Sequence, residues 1–214
     1  MKMRWLAPVV VIAAWIFAAA VYPALPDTVP THWNLRGEVD GTMAKWPGAF
    51  LAPFIATVML ATLYLLPRID PRRRNWEQFA ETRDVLLNVL VLFVAVVEVL
   101  SLGAALGWDV NVSGVMMAAV GGLFVAMGNY LPRIRSNWWM GIRTPWTLEN
   151  DRVWRATHRV AGRTFVAGGA LCMLLALLPG TVPSTIAIAA LIVAGLFPAV
   201  YSYFAWRRET GRGA

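Results

Sequence analysis

Residues Val85 to Gly107 read VLLNVLVLFVAVVEVLSLGAALG, a run of 23 with one ionisable side chain, Glu98. About 20 apolar residues in a helix are enough to cross the hydrocarbon of a bilayer, so this run reads as a membrane span. Five more runs qualify: Trp5 to Tyr22, Gly48 to Leu66, Val112 to Leu131, Gly162 to Leu178 and Ile186 to Ala205. Pro, Asn, Gly or clustered charge bounds each of them. A chain of 214 residues that is 58% hydrophobic and 14% charged is too apolar for a soluble domain of this length. The expected fold class is all-α, a polytopic helical membrane bundle with six transmembrane helices.

The placement of the basic residues orients these spans. Lys2 and Arg4 precede the first, and Arg36 and Lys45 follow it. Arg68, Arg72, Arg73, Arg74 and Arg83 follow the second. Arg133, Arg135, Arg143, Arg152, Arg155, Arg159 and Arg163 follow the fourth, and Arg207, Arg208 and Arg212 follow the last. The connections around Asp109 and from Pro179 to Thr185 carry none, so 17 of 19 basic residues fall on one side. Short cytoplasmic loops retain Lys and Arg, which places both termini in the cytoplasm. The segment MKMR, its apolar run and Ala18 to Ala20 also fit a cleavable signal peptide; cleavage would leave five spans in the same orientation.

Retention of basic residues on one face also accounts for the net charge of +7, so direct nucleic-acid binding is not expected. The single cysteine, Cys172, excludes an intramolecular disulfide and reads as a small packed hydrophobe. In the fourth run Gly114, Ala118, Gly122 and Ala126 recur every four residues, a spacing that predicts close helix contact along that face. Glu98 is costly in hydrocarbon unless protonated or paired. Ser101, one turn later, is its expected hydrogen-bond partner, and both an interhelical bond and a proton-linked or ligand-binding role stay open.

Residues 23–47 form an extracytoplasmic loop too rich in Pro and Gly for a long helix. His32, Glu38 and Asp40 are weak metal-ligand or acid/base candidates, because H-x5-E-x-D matches no established ligand spacing. The stretch RGEVDG reads as turn, and Trp33 and Trp46 as interface anchors.

On the cytoplasmic side, the sequence predicts Asn129 buried near the end of the fourth helix and Pro132 ending that helix. Thr147 reads as the N-cap of a helix from about Leu148 to Val160, with Glu149 in its first turn. Trp154 and His158, one turn apart, can touch. With Arg152, Arg155 and Arg159 on one flank, this helix is expected at the interface, aromatics among the headgroups and arginines on anionic lipid. Thr144, Thr147 and Thr157 with His158 lack the dedicated pairing a nucleophile needs. Arg143, between Gly141 and Pro145, is expected to dock on Glu149 or Asp151, or to bind a lipid phosphate or a partner.

Two blocks carry a family resemblance. LPDTVPTHWNLRGEVDG resembles an N-terminal domain of uncharacterised function found in bacterial membrane proteins. GNYLPRIRSNWWMGIRTPWTLENDRVWRATHRVAGR resembles the signature of the SdpI family of six-span immunity proteins. In the outer block the motif residues are His32, Trp33, Asn34, Gly37, Asp40 and Gly41. Carried over by position, the cytoplasmic pattern falls on Gly128, Asn129, Asn137, Gly141, Arg143, Thr144, Pro145, Trp146, Thr147, Trp154, His158, Arg159 and Gly162. The resemblance divides the chain into residues 1–67, two spans with the outer loop, and residues 68–214, a four-span region with a basic cytoplasmic loop at 132–161.

What the resemblance implies is immunity to a secreted, membrane-active toxic peptide at the bacterial inner membrane. It also implies signalling through a cytoplasmic winged-helix repressor held at the membrane, with no enzymatic activity and no cofactor. A small proton-linked transporter using Glu98, and a membrane-embedded enzyme with a convergent polar site, are the alternatives.

Overall fold

The computed structural model describes residues 3–211; Lys2 and Arg212 of the charge pattern lie outside them. The element order is α1 (Leu6–Val21), β1 (Thr28–Trp33), β2 (Val39–Ala44), α2 (Lys45–Ile69), α3 (Arg73–Glu77), α4 (Ala80–Ala105), α5 (Val112–Tyr130), α6 (Pro145–Glu149), α7 (Asp151–Leu175) and α8 (Thr181–Glu209). The fold is an all-α helical membrane bundle with one added β-hairpin. Among the described residues five helices, α1, α2, α4, α5 and α8, are long and apolar enough to cross a membrane.

The fifth apolar run departs from the expected arrangement. Instead of an interfacial helix followed by a separate span, Asp151–Leu175 is one continuous helix. Its first half carries Arg152, Arg155, Arg159 and Arg163 and its second half is apolar, so it does not rank with the other five by composition. Val153, Trp154, Thr157, His158, Ala161, Gly162, Phe165, Gly168, Gly169 and Cys172 are its buried residues. Their spacings of three and four define one stripe along the whole helix, and α7 packs between α5 and α8.

The contact between α5 and α7 is made by glycine, but not by the expected set. A Cβ on Gly128 would lie 2.7 Å from the carbonyl oxygen of Gly162, and one on Gly121 2.7 Å from that of Gly169. The reciprocal approaches are 2.8 Å at Gly162 and 2.5 Å at Gly169, so the two backbones touch directly and the helices run antiparallel. The seven-residue repeat on both partners is the period of left-handed packing. A Cβ on Gly122 would meet nothing within 4 Å, and one on Gly114 would meet the side chain of Asn111. The four-residue stripe at 114, 118, 122 and 126 is therefore not the contact face. A four-residue repeat drifts around the helix relative to a 3.6-residue period, whereas a seven-residue repeat stays on one side.

Helix ends are fixed by local chemistry. Asn111 caps α5 by accepting from Gly114 N–H at 3.0 Å, and Asn150 caps α7 by accepting from Arg152 N–H at 2.8 Å. Gly107, with φ +80, ends α4 in a turn in which Trp108 N–H donates to the Gly103 carbonyl at 2.9 Å. α1 has no cap of its own; the side chain of Asn88 on α4 accepts from Ala7 N–H at 2.9 Å. α5 stops at Tyr130, and Pro132 lies in a short 3₁₀ turn, as expected. Asn129, expected buried, is exposed and donates back to the Val125 carbonyl at 2.8 Å.

The outer loop is an ordered antiparallel hairpin, a feature the sequence reading did not specify. Thr28 pairs with Ala44, His32 with Gly41 and Trp33 with Val39, with irregularities around His32. Its reversal is organised by Asn34, whose side chain accepts from Arg36 N–H (2.8 Å) and Glu38 N–H (3.2 Å), and by Gly37 at φ +82. The hairpin sits on the start of α2, where a Cβ on Gly48 would lie 2.7 Å from Val29 Cβ.

Candidate functional site

The signature block at residues 128–162 forms a closed network at one end of the bundle that holds α3, α6 and the start of α7. Asn137, fully buried, folds its own loop: its side-chain oxygen accepts from Trp139 N–H (2.8 Å) and Met140 N–H (2.7 Å), and its amide donates to the Arg135 (2.8 Å) and Met140 (3.1 Å) carbonyls. Gly141, at φ +102, passes over the ring of His158. Ile142 N–H then donates to His158 Nε2 at 3.1 Å, while Nδ1 donates to the Trp154 carbonyl at 2.8 Å. Both ring nitrogens are thus committed to backbone in a neutral tautomer. The ring stacks on Trp154 at 4.1 Å between centroids, the contact expected from their spacing.

Trp154 itself is buried and donates from its indole to the Ile134 carbonyl at 2.8 Å, so it is a core residue and not a headgroup anchor. The stripe of α7 faces inward at this point because α5 and the loop after it close over it. Exposed tryptophan in the block comes from Trp138 and Trp139.

The N-cap also moves. Thr144, not Thr147, caps α6, and Thr147 completes a reciprocal capping box, Thr144 N–H donating to its hydroxyl at 2.9 Å. Thr147 also donates to the Ile142 carbonyl at 2.8 Å. Glu149 ends α6 rather than starting a helix, and accepts from the Trp206 indole at 3.1 Å. Thr144 Oγ1 lies 2.9 Å from Ser202 Oγ on α8. Pro145 opens α6, and Trp146 packs on Tyr203 at 5.1 Å. Arg143 is exposed and donates to the Trp138 carbonyl at 2.8 Å, without reaching Glu149 or Asp151. Arg159 is exposed on the outer flank of α7.

Two residues outside the signature, Asp70 and Arg72, bind the network to the preceding loop. Asp70, buried, accepts from Arg72 N–H (2.7 Å), the Trp76 indole (2.8 Å) and Trp138 N–H (3.0 Å). The Arg72 guanidinium donates to Ser136 Oγ and to the Leu148 carbonyl. The available sequence signal was the pair Asp70-Pro71, an acid before proline in an otherwise basic loop, which favours a turn. Beside this knot, Arg68, Arg73, Arg74 and Arg83 line a cleft of about 750 Å³. Among the described residues Arg83 pairs with Asp84, and no ion pair engages the other three.

Burial pushes the His158 pKa down to about 4 from its usual 6.5, against a smaller upward effect of its bond to Trp154. A folded-state pKa below the unfolded one means the unfolded chain binds the extra proton between those values. Stability is then complete above about pH 6.5 and falls as the pH drops toward 4. The expected loss is about 2 kcal/mol between pH 7 and pH 5, read by thermal denaturation in neutral detergent. In His158→Gln that His-dependent slope should disappear; an unchanged slope would assign the acid sensitivity elsewhere.

At the opposite end, His32 Nδ1 lies 2.5 Å from Asp40 Oδ1 in an exposed pair. Glu38 is turned away, bound to Asn34 (2.7 Å) and Arg36 (3.0 Å), and these bonds hold its carboxyl below the ordinary glutamate range. The three candidates do not converge, and no group of three or more His, Cys, Asp or Glu that could hold a metal occurs among the described residues. Gly41 lies against His32, where a Cβ would come within 2.9 Å of His32 Cβ. Trp33 is half-buried under the hairpin, and Trp46 is exposed.

Below the hairpin, Ser101 donates to the Pro30 carbonyl at 2.5 Å, so it ties hairpin to helix and does not serve Glu98. Glu98 is buried and its Oε1 has no hydrogen-bond partner among the described residues. It lines a cavity of about 220 Å³ with Thr31, Trp33, Val94, Val97 and Leu102. A second cavity of about 310 Å³ shares Thr31, Trp33 and Val97 and reaches Ser113, Cys172 and Ser184.

With this geometry established, the relatives of the chain can be placed on it. Residues 133–202 match the SdpI/YfhL protein family, and residues 9–57 match a domain of unknown function, DUF1648. The chain is 23% identical over 212 residues to "Immunity protein SdpI" of Bacillus subtilis (strain 168), covering 99% of each chain. No solved structure matches it. The match to the SdpI/YfhL family thus falls on this network, α7 and most of α8, and the match to DUF1648 on most of α1, the hairpin and the start of α2.

Proposed function

We propose that this multi-pass membrane protein confers immunity to a membrane-active toxic peptide at the bacterial cytoplasmic membrane. It does so as a six-span bundle with both termini inside. The observation that carries the reading is the end-to-end likeness to an immunity protein, which covers the hairpin as well as the cytoplasmic network. Supporting the sixth crossing, α7 runs antiparallel to α5 through the two glycine contacts, back toward the end where α5 begins. Supporting the orientation, Arg72, Ser136, Leu148 and Asn75 meet at one end, while Gly37 approaches Ser113 at the other.

In this reading the hairpin faces the toxic peptide. The cytoplasmic network presents Trp138, Trp139 and Arg143 on a rigid base to anionic lipid or a cytoplasmic repressor, and the arginine cleft beside it adds positive charge for lipid phosphate. A proton-linked transporter would need a polar path to Glu98, and the side chains around it are apolar or aromatic apart from Thr31 and Ser101.

The test is expression in a sensitive host challenged with membrane-active peptides. Cells carrying the wild-type chain are expected to survive at least severalfold more of one such peptide than cells carrying an empty vector. His32→Ala, which unpairs the hairpin surface, is expected to reduce protection without loss of the protein from the membrane. Absence of protection against every peptide by a well-expressed wild type would overturn the reading.

A further inference from the structure

We infer that the two cavities beneath the hairpin form one membrane-facing site for an apolar chain ending in a primary amine, with Glu98 as the group that receives the amine. Three observations carry it. Glu98 is 2% exposed, lines the smaller cavity and leaves Oε1 without a hydrogen-bond partner. Ser101, the neighbour placed to satisfy it, is committed to the Pro30 carbonyl. The cavities share Thr31, Trp33 and Val97, and their volumes of about 310 and 220 Å³ combine to the size of a small-ligand site.

A carboxyl in hydrocarbon without a partner is costly in either protonation state. An amine answers both needs, because it donates hydrogen bonds and can share the proton and charge of the acid. Amine and carboxyl can meet as neutral groups, and passage of the carboxyl proton to the nitrogen leaves a balanced ion pair. The lining selects against a peptide as the occupant. A peptide backbone brings an amide and a carbonyl per residue, each needing a partner in lipid, and the apolar wall has few to offer. A chain with one polar terminus demands only one strong acceptor, and the Glu98 carboxyl supplies it. Leu51 and Ile55 line the smaller cavity and are also exposed on the bundle surface, which puts the cavity wall next to the bilayer.

The experiment uses the full chain in phosphatidylcholine vesicles, with dodecylamine carrying a mid-chain diazirine and the matching dodecanol as probes. After photolysis, peptides containing residues 31–35 and 93–102 are expected to carry at least tenfold more label from the amine than from the alcohol. Glu98→Gln is expected to bring the amine down to the alcohol's level. Ala52→Phe, which adds bulk to the lining of the smaller cavity and leaves Glu98 in the sequence, is expected to lower labelling by both probes. Equal labelling of the wild type by amine and alcohol, undiminished amine labelling in Glu98→Gln, or no effect of Ala52→Phe would each overturn the site. No toxic peptide enters this experiment, so its failure and the failure of the immunity reading are separately visible.

Discussion

Gly169→Leu is expected to prevent the bundle from assembling, with no folded monodisperse protein recovered in mild detergent. A Cβ at Gly169 would lie 2.5 Å from the Gly121 carbonyl oxygen, 2.8 Å from Val125 N and 2.9 Å from Phe124 Cβ. Two of those three atoms are backbone of α5, so no side-chain rotation relieves the clash and the helices must separate. Overpacking a core costs about 1–3 kcal/mol where side chains can give way; against backbone the cost should exceed about 3 kcal/mol. Gly122→Ala, one residue along from Gly121, is the control. A Cβ there meets nothing, and the change should be neutral or stabilising by up to about 1 kcal/mol through helix propensity. Size-exclusion profiles and melting curves compare the two. Equal behaviour of the pair would show that α5 and α7 do not meet through the seven-residue glycine repeat.

Asp70→Ala should cost about 4 kcal/mol, since it leaves three donors, Arg72 N–H, the Trp76 indole and Trp138 N–H, without their acceptor. The loss should be cooperative with the signature block, because Trp138 sits next to Asn137 and Arg72 reaches Ser136 and Leu148. Amide exchange over residues 134–150 is therefore expected to accelerate together with exchange over 70–79. Asp70→Asn, which keeps one acceptor oxygen, should lose roughly half as much. Faster exchange confined to 70–79 would mean that the two loops are not one unit.

The spans were legible because hydrocarbon imposes a length and a composition on each segment separately, and neither depends on what the helix touches. The turn character of RGEVDG was legible for a similar reason, since Asn34 and Gly37 act on backbone within four residues. The hairpin around it was harder to see. Pro30 interrupts the strand pattern, and the pairing is recognisable only when the two halves are laid side by side.

In the block that includes Thr144 and Thr147, local rules misplace the cap by three residues. Thr144 and Thr147 are both good caps, and the choice between them rests on Thr147 being drawn to the Ile142 carbonyl and Thr144 to Ser202, 58 positions away. Tryptophan among arginines is common at membrane surfaces, so the sequence around Trp154 points to the interface. The burial of Trp154 depends on Ile134, whose carbonyl receives the indole. Asp70 was passed over because its partners are donors distributed over two loops.

The sequence by itself determined a membrane-spanning helical chain, the asymmetric distribution of its arginines, the ends of α5 and the contact of Trp154 with His158. These follow from solvation and from geometry within a turn or two of helix. Tertiary structure decided which glycines touch, which face of α7 is inside, which backbone N–H His158 accepts from, which donors converge on Asp70, and that Glu98 loses Ser101 to the hairpin. Each of these is a competition for a hydrogen-bond partner or a contact surface between segments distant in sequence, and its outcome is set only when those segments are brought together.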